Sequence, residues 1–114
     1  ATRLINDDID GKVNTAIAKC SDFISAAVKA KTMTQYNELL VGHDPRNREV
    51  KLTDVTNFMS RLLDDYARYI QYKNEEAAAA SKGDRPSYYA EQAKGYAMSI
   101  KERLSKLDTL NIAW

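Results

Sequence analysis

One histidine, His43, and one cysteine, Cys20, are the whole supply of imidazole and thiol in 114 residues. A zinc site built from them would need several carboxylates, and neither an HxxxH nor a CxxC spacing occurs. A di-iron bundle needs Glu-x-x-His on two helices, which the chain lacks. No GxGxxG, phosphate-loop or GxSxG pattern is present, and a Ser–His–Asp triad would have to draw on His43 within a turn. The acidic run Asn6-Asp7-Asp8-Ile9-Asp10 lacks the spaced ligands and terminal glutamate of a calcium loop. Its carboxylates read instead as the start of a helix, where the dipole favours negative charge. No catalytic residue, metal ligand or cofactor is assigned on these grounds.

The segment "HDPRNREV", residues 43–50, places Arg46 and Arg48 where they could contact an anion. It is similar to the Asp-x-x-Arg-Glu segment of the all-α chorismate mutases, which hold a dianionic substrate with arginines and a lysine. Two departures weaken that likeness. Asp44 to Arg48 is one residue too long, and the first long helix offers Lys12, Lys19 and Lys29 but no arginine. Arg46, Arg48, Glu49 and Lys51 therefore read first as a solvated, salt-bridged loop. A small all-α enzyme with an anion site at Arg46 and Arg48 ranks third among the functional readings.

Charge points the same way. Lys plus Arg is 17 against 16 for Asp plus Glu, giving a net charge of +1. Lys94, Lys101, Arg103 and Lys106 share one predicted helix, but Glu91, Glu102 and Asp108 interleave them. Such a mixed surface releases few counterions, so nucleic-acid association through Lys101 and Arg103 is the second reading. No apolar run approaches the roughly 20 residues of a membrane span, and no signal-peptide pattern opens the chain. A lone thiol at an apolar position suits a reducing compartment, so a cytoplasmic location or a soluble macromolecular assembly is expected.

Tyrosine is the compositional anomaly. Six of the 7 tyrosines fall between residues 66 and 96. Tyr66, Tyr69, Tyr89 and Tyr96 sit on a predicted buried face, whereas Tyr72 and Tyr88 lie off it near a turn. Exposed tyrosines supply contact area at low entropic cost, which makes Tyr72 and Tyr88 candidate partner contacts. The tail supplies three more in Leu110, Ile112 and Trp114, which either fold back or dock on a partner.

These residues must be positioned by long helices, because only 4 glycines and 2 prolines punctuate the chain. From about residue 6 to 31, Ile9, Val13, Ala16, Ile17, Cys20, Phe23, Ile24, Ala27 and Val28 recur at helical spacing, with Asn6 as cap. Residues 32–52 are irregular, with a short helix over 34–41 stopped by Gly42 and an extended stretch through Val50 and Leu52. A second long helix is predicted over 53–81, capped by Thr53. Its stripe is Val55, Met59, Leu62, Tyr66 and Tyr69, flanked by Leu63, Ile70 and Ala77. A stripe that broad implies two neighbouring helices. A turn at 82–87 centres on Gly83, and Pro86 opens a third helix over 87–108, with Asp84 or Ser87 as cap. The apolar tail is 109–114.

The expected fold is all-α: one elongated three-helix bundle domain over 1–114, an antiparallel hairpin closed by the N-terminal helix. In that hairpin Ala77 and Ala80 face Tyr89 and Ala93 near the turn, and Val55 and Met59 approach Leu104 and Leu107 at the base. The first functional reading is a non-enzymatic assembly or interaction module, binding itself or other protein subunits of a larger complex. Small motif-free helical chains of this kind include virion components and adaptors.

Overall fold

The computed structural model describes residues 9–43, 48–83 and 85–114. It contains helices α1 (Ile9–Lys29), α2 (Met33–Asn37), α3 (Arg48–Ser81) and α4 (Ser87–Ser105). Short 3-10 turns span Val41–His43 and Leu107–Leu110. No strand forms among the described residues, and Leu40 and Ile112 make one isolated antiparallel bridge. Helices α3 and α4 pack as an antiparallel hairpin, and α1 lies against both. The bundle measures 60 × 26 × 17 Å.

The apolar stripe of α1 buries Ile9, Val13, Ala16, Cys20, Phe23 and Ala27. Val28 is the exception, 69 % exposed. It stands about 100° around the helix from Ala27, and Ala27 takes the core position. The proposed cap Asn6 and the carboxylates Asp7 and Asp8 lie outside the described residues. Helix α2 is shorter than predicted and starts one residue earlier, because Thr32 caps it by accepting from the Gln35 N–H at 3.1 Å. Gly42 follows in a left-handed conformation at φ 71°.

Helix α3 begins five residues before the predicted start. No glycine or proline interrupts residues 48–81, so the helix continues upstream of Thr53. Thr53 is thus an interior residue, its hydroxyl donating to the Glu49 carbonyl at 2.8 Å rather than capping the helix. Val50 and Leu52 lie in that first part of α3, not in an extended stretch, with Val50 exposed and Leu52 half-buried.

The largest departure is Lys51. It is no part of a solvated loop: its side chain is 0 % exposed, and its ammonium donates to the Leu110 carbonyl at 2.7 Å. Around that bond the chain end folds back. The Val41 N–H donates to the Asn111 carbonyl at 2.9 Å, and the Ala113 N–H donates to the Leu39 carbonyl at 2.8 Å. Asn111 makes the required bend at φ 58°, a left-handed conformation that asparagine tolerates better than most residues.

Two apolar clusters fill the bundle. The basal one joins Cys20, Phe23, Ala27, Tyr36, Leu40, Val55 and Ile112. The central one joins Ile9, Val13, Ala16, Leu62 and Ile100, and Phe58 and Leu107 pack against both. Val55, Met59 and Leu107 share the basal cluster, whereas Leu104 packs against the central one. Leu63 and Ile70 do not fill a helix interface: both are exposed. They lie one position around from Leu62 and Tyr69, off the line that meets α1 and α4.

Near the turn the buried alanine of α3 is Ala79, while Ala77 and Ala80 are exposed, and Ala93 is the buried alanine of α4. Asp65, which pairs with Arg103, Tyr72, which stacks on Tyr96, and the buried Ala79 lie seven residues apart along α3. Gly83 turns the chain at φ 78°. Pro86 occupies the position just ahead of α4 and Ser87 is its first residue. Asp84 lies outside the described residues. Helix α4 ends at Ser105, and the turn Leu107–Leu110 replaces its predicted last residues.

Replacing Lys51 by methionine keeps the apolar stem but removes the donor. Lys51→Met is expected to lower stability in urea by about 1–3 kcal/mol, the penalty for a buried group left unpaired. Faster hydrogen exchange at the Val41 and Ala113 amides should accompany it, because the same tail carries their bonds.

Candidate functional site

The residues selected from the sequence fall into three places. At the base, Ile112 is 4 % exposed and Leu110 is half-buried, so the tail folds back and Ile112 is a core residue rather than a partner contact. Trp114 remains exposed beside a cavity of about 230 Å³ that it lines with Lys19, Phe23 and Leu39. Arg46 lies outside the described residues. The Arg48 guanidinium sits over the Tyr36 ring at 5.6 Å, and the Tyr36 hydroxyl donates to the Arg48 carbonyl at 3.4 Å. Tyr36 also meets Phe23 with ring centroids 6.3 Å apart. The one wholly buried tyrosine is therefore Tyr36, which its short helix disguised in the sequence.

The second place is the upper hairpin. Tyr72 and Tyr96 stack across α3 and α4 with centroids 5.9 Å apart and planes 15° from parallel. Tyr66 and Tyr69 stack at 6.4 Å, and Tyr88 meets Tyr89 edge-on at 5.3 Å. Tyr72 is thus half-buried in an inter-helix pair, while Tyr88 is 59 % exposed. The Tyr66 hydroxyl donates to the Asp10 carboxylate at 2.5 Å. That hydrogen bond, with burial and the Asp10 charge, pushes the Tyr66 phenol up to about 12. Arg103 is engaged across the hairpin, its Nε 3.3 Å from Asp65 Oδ2, whereas Lys101 is exposed.

The third place had no counterpart in the sequence reading. Three cavities along one face of α1, bounded opposite by α4 and then by the tail, form a discontinuous furrow. Its upper part is two abutting cavities of about 260 and 440 Å³ that share Lys12 and Leu104. Lys101 and Ser105 line one, and Thr15, Ala16 and Leu107 the other. The cavity beside Trp114 continues the same face at Lys19, Asp22 and Ala26. Lys12 and Lys19 are seven residues apart beside the apolar stripe, a visible signal. Their pairing with Lys101 needed the packing of α1 against α4.

Among the described residues no group of histidine, cysteine, aspartate and glutamate could hold a metal ion, and no helix is long and apolar enough to cross a membrane. Cys20 is buried, and burial pushes its thiol above its ordinary value, so it is a poor nucleophile. No protein-family model matches the sequence, and comparison with curated proteins and with solved structures also gives no match.

The Tyr66–Asp10 bond stabilises the neutral phenol, whose ordinary value is 10. Its contribution is complete below about pH 10 and is lost as pH rises through about 12. Tyr66→Phe should cost about 0.5–1.5 kcal/mol at neutral pH, and the gap between the two proteins in urea melts should close over that alkaline interval. Tyr72→Ala should cost at least about 0.5–1.5 kcal/mol for its lost ring pair, while Tyr88→Ala should stay within about 0.5 kcal/mol in the same melts.

Proposed function

We propose that this chain is a non-enzymatic helical module for assembly or protein–protein interaction, a small subunit of a larger complex. The observation that supports it is the mismatch between the hairpin and the helix that closes it. At about 1.5 Å per residue, the 34 residues of α3 reach about 51 Å and the 21 residues of α1 about 31 Å. Ile9, at the start of α1, packs at the level of Leu62, Tyr66 and Tyr69. Beyond that level α3 and α4 continue as a two-helix arm with no third helix on it among the described residues.

The arm buries mainly Ala79 and Ala93, and it carries Ile70 at 38 % and Tyr88 at 59 % exposure. Leu63, one seven-residue step below Ile70, is exposed on the same flank of α3. Two-helix arms of this kind gain apolar burial by meeting another helical surface. Tyr88 and Trp114, which stay exposed, would add contact area under this reading. Nucleic-acid association is supported less, because Arg103 is held by Asp65 and acidic residues interleave the lysines of α4.

The test compares the intact chain with Leu63→Glu/Ile70→Glu, whose substitutions lie outside both apolar clusters. Light scattering with measured molar mass, and capture from the source extract, should show oligomers or a partner complex for the intact chain. The double variant should keep its helical circular dichroism and lose that complex. A clean monomer that captures nothing removes the proposal.

A further inference from the structure

We infer that the furrow between α1 and α4 receives an acidic amphipathic helix of a partner protein, an inference that rests on the assembly reading and names the chemistry of one partner. The first ground is charge. Lys12, Lys19 and Lys101 line the furrow against a single carboxylate, Asp22. None of these four is in an ion pair with another described residue; the ion pairs Lys73–Glu76, Arg103–Asp65 and Lys106–Glu102 involve other side chains. Asp10, close by in sequence, is turned to the other side of α1, where it accepts from Tyr66. Three lysines and one carboxylate thus line the furrow, in a chain of net charge +1.

The second ground is the floor. Ala16, Leu104 and Leu107 lie beneath the two upper cavities, and Phe23 and Leu39 beneath the lower one. Bare phosphate or a nucleic-acid backbone would use the lysines but gain nothing from this apolar surface. A peptide with both carboxylates and aliphatic side chains uses both.

The third ground is dimension. From Gly11 to Ala26 the cavities follow α1 for about 22 Å at 1.5 Å per residue, the length of roughly four turns of helix. Lys12 and Lys19 are about 10 Å apart along α1, so carboxylates seven residues apart on the incoming helix meet both. Seated there, the helix becomes a fourth member of the bundle and covers Leu104 and Leu107.

The probe is a synthetic helical peptide of about 18 residues with leucines on one stripe and glutamates seven apart on its flank. Controls are the same peptide with lysine for glutamate, one with serine for leucine, and a single-stranded oligonucleotide. Fluorescence anisotropy on the intact chain should show saturable binding of the acidic leucine peptide, weaker at higher salt, and at least tenfold weaker binding of every control. Lys12→Glu/Lys101→Glu should weaken that peptide at least tenfold and now favour the lysine peptide; Lys12→Gln/Lys101→Gln should weaken it without the reversal.

Equal binding of acidic and basic peptides, or of the oligonucleotide, overturns the inference, as does no binding at all. Loss of self-association in the lysine variants without any peptide also overturns it, by making a second copy the occupant. The arm variant Leu63→Glu/Ile70→Glu keeps the two readings apart. Peptide binding by a chain that forms no complex removes the assembly reading, whereas complexes lost with that variant, but no peptide binding, remove only the furrow.

Discussion

The ammonium of Lys51, wholly buried and bonded to the Leu110 carbonyl, ties the first turns of α3 to the end of the chain. An ammonium out of water is tolerated only with its donors satisfied. That requirement fixes the neighbourhood. Leu110 must come to the start of α3, so the chain turns through Asn111, Ile112 drops into the basal cluster, and the backbone pairs with Leu39 and Val41. The short helix α2 is held in the same knot, because Tyr36 lies under Arg48 and against Phe23. The base is therefore cross-linked over long sequence separations, with bonds spanning residues 51 to 110 and 41 to 111.

Stability built at one end lets the other end be thin. Above the central cluster no third helix covers the hairpin among the described residues, and large aliphatics give way to alanines and tyrosines. Alanine lets two helices approach closely, but it removes little apolar area from water. The Tyr72–Tyr96 stack supplies shape and ring contact where aliphatic layers end. The arm is thus an extension that holds its form while leaving Ile70 and Tyr88 accessible, a distribution suited to a surface that another helix completes.

Charge is arranged with the same asymmetry. Surface ion pairs on the hairpin are individually weak; among the described residues they join Lys73 to Glu76, Arg103 to Asp65 and Lys106 to Glu102, and none involves the lysines lining the α1–α4 furrow. Overall neutrality hides this, because net charge sums over faces that never share a partner. The arm begins beyond the level of Ile9, where the described α1 starts, and the furrow follows the face of α1, so that helix sets the limits of both surfaces proposed for contact.

Sequence by itself determined the all-α class, the long stripes of α1, α3 and α4, and the turn at Gly83 and Pro86. Those features depend on local rules: helical periodicity, propensity and the left-handed preference of glycine act within a few residues. It also placed Cys20, Val55 and Leu62 in the core, since each sits centrally on its stripe. Only the tertiary structure decided that Lys51 is buried, because nothing near it in sequence announces a carbonyl 59 residues away. The same holds for Ile112 as core, for Tyr36 as the buried tyrosine, and for Leu63, Ile70 and Val28 as exposed. An apolar residue on the edge of a stripe is buried or bare according to where the neighbouring helix begins and ends. The furrow was equally out of reach, since Lys12 and Lys101 belong to different helices and only their packing makes them one line of charge.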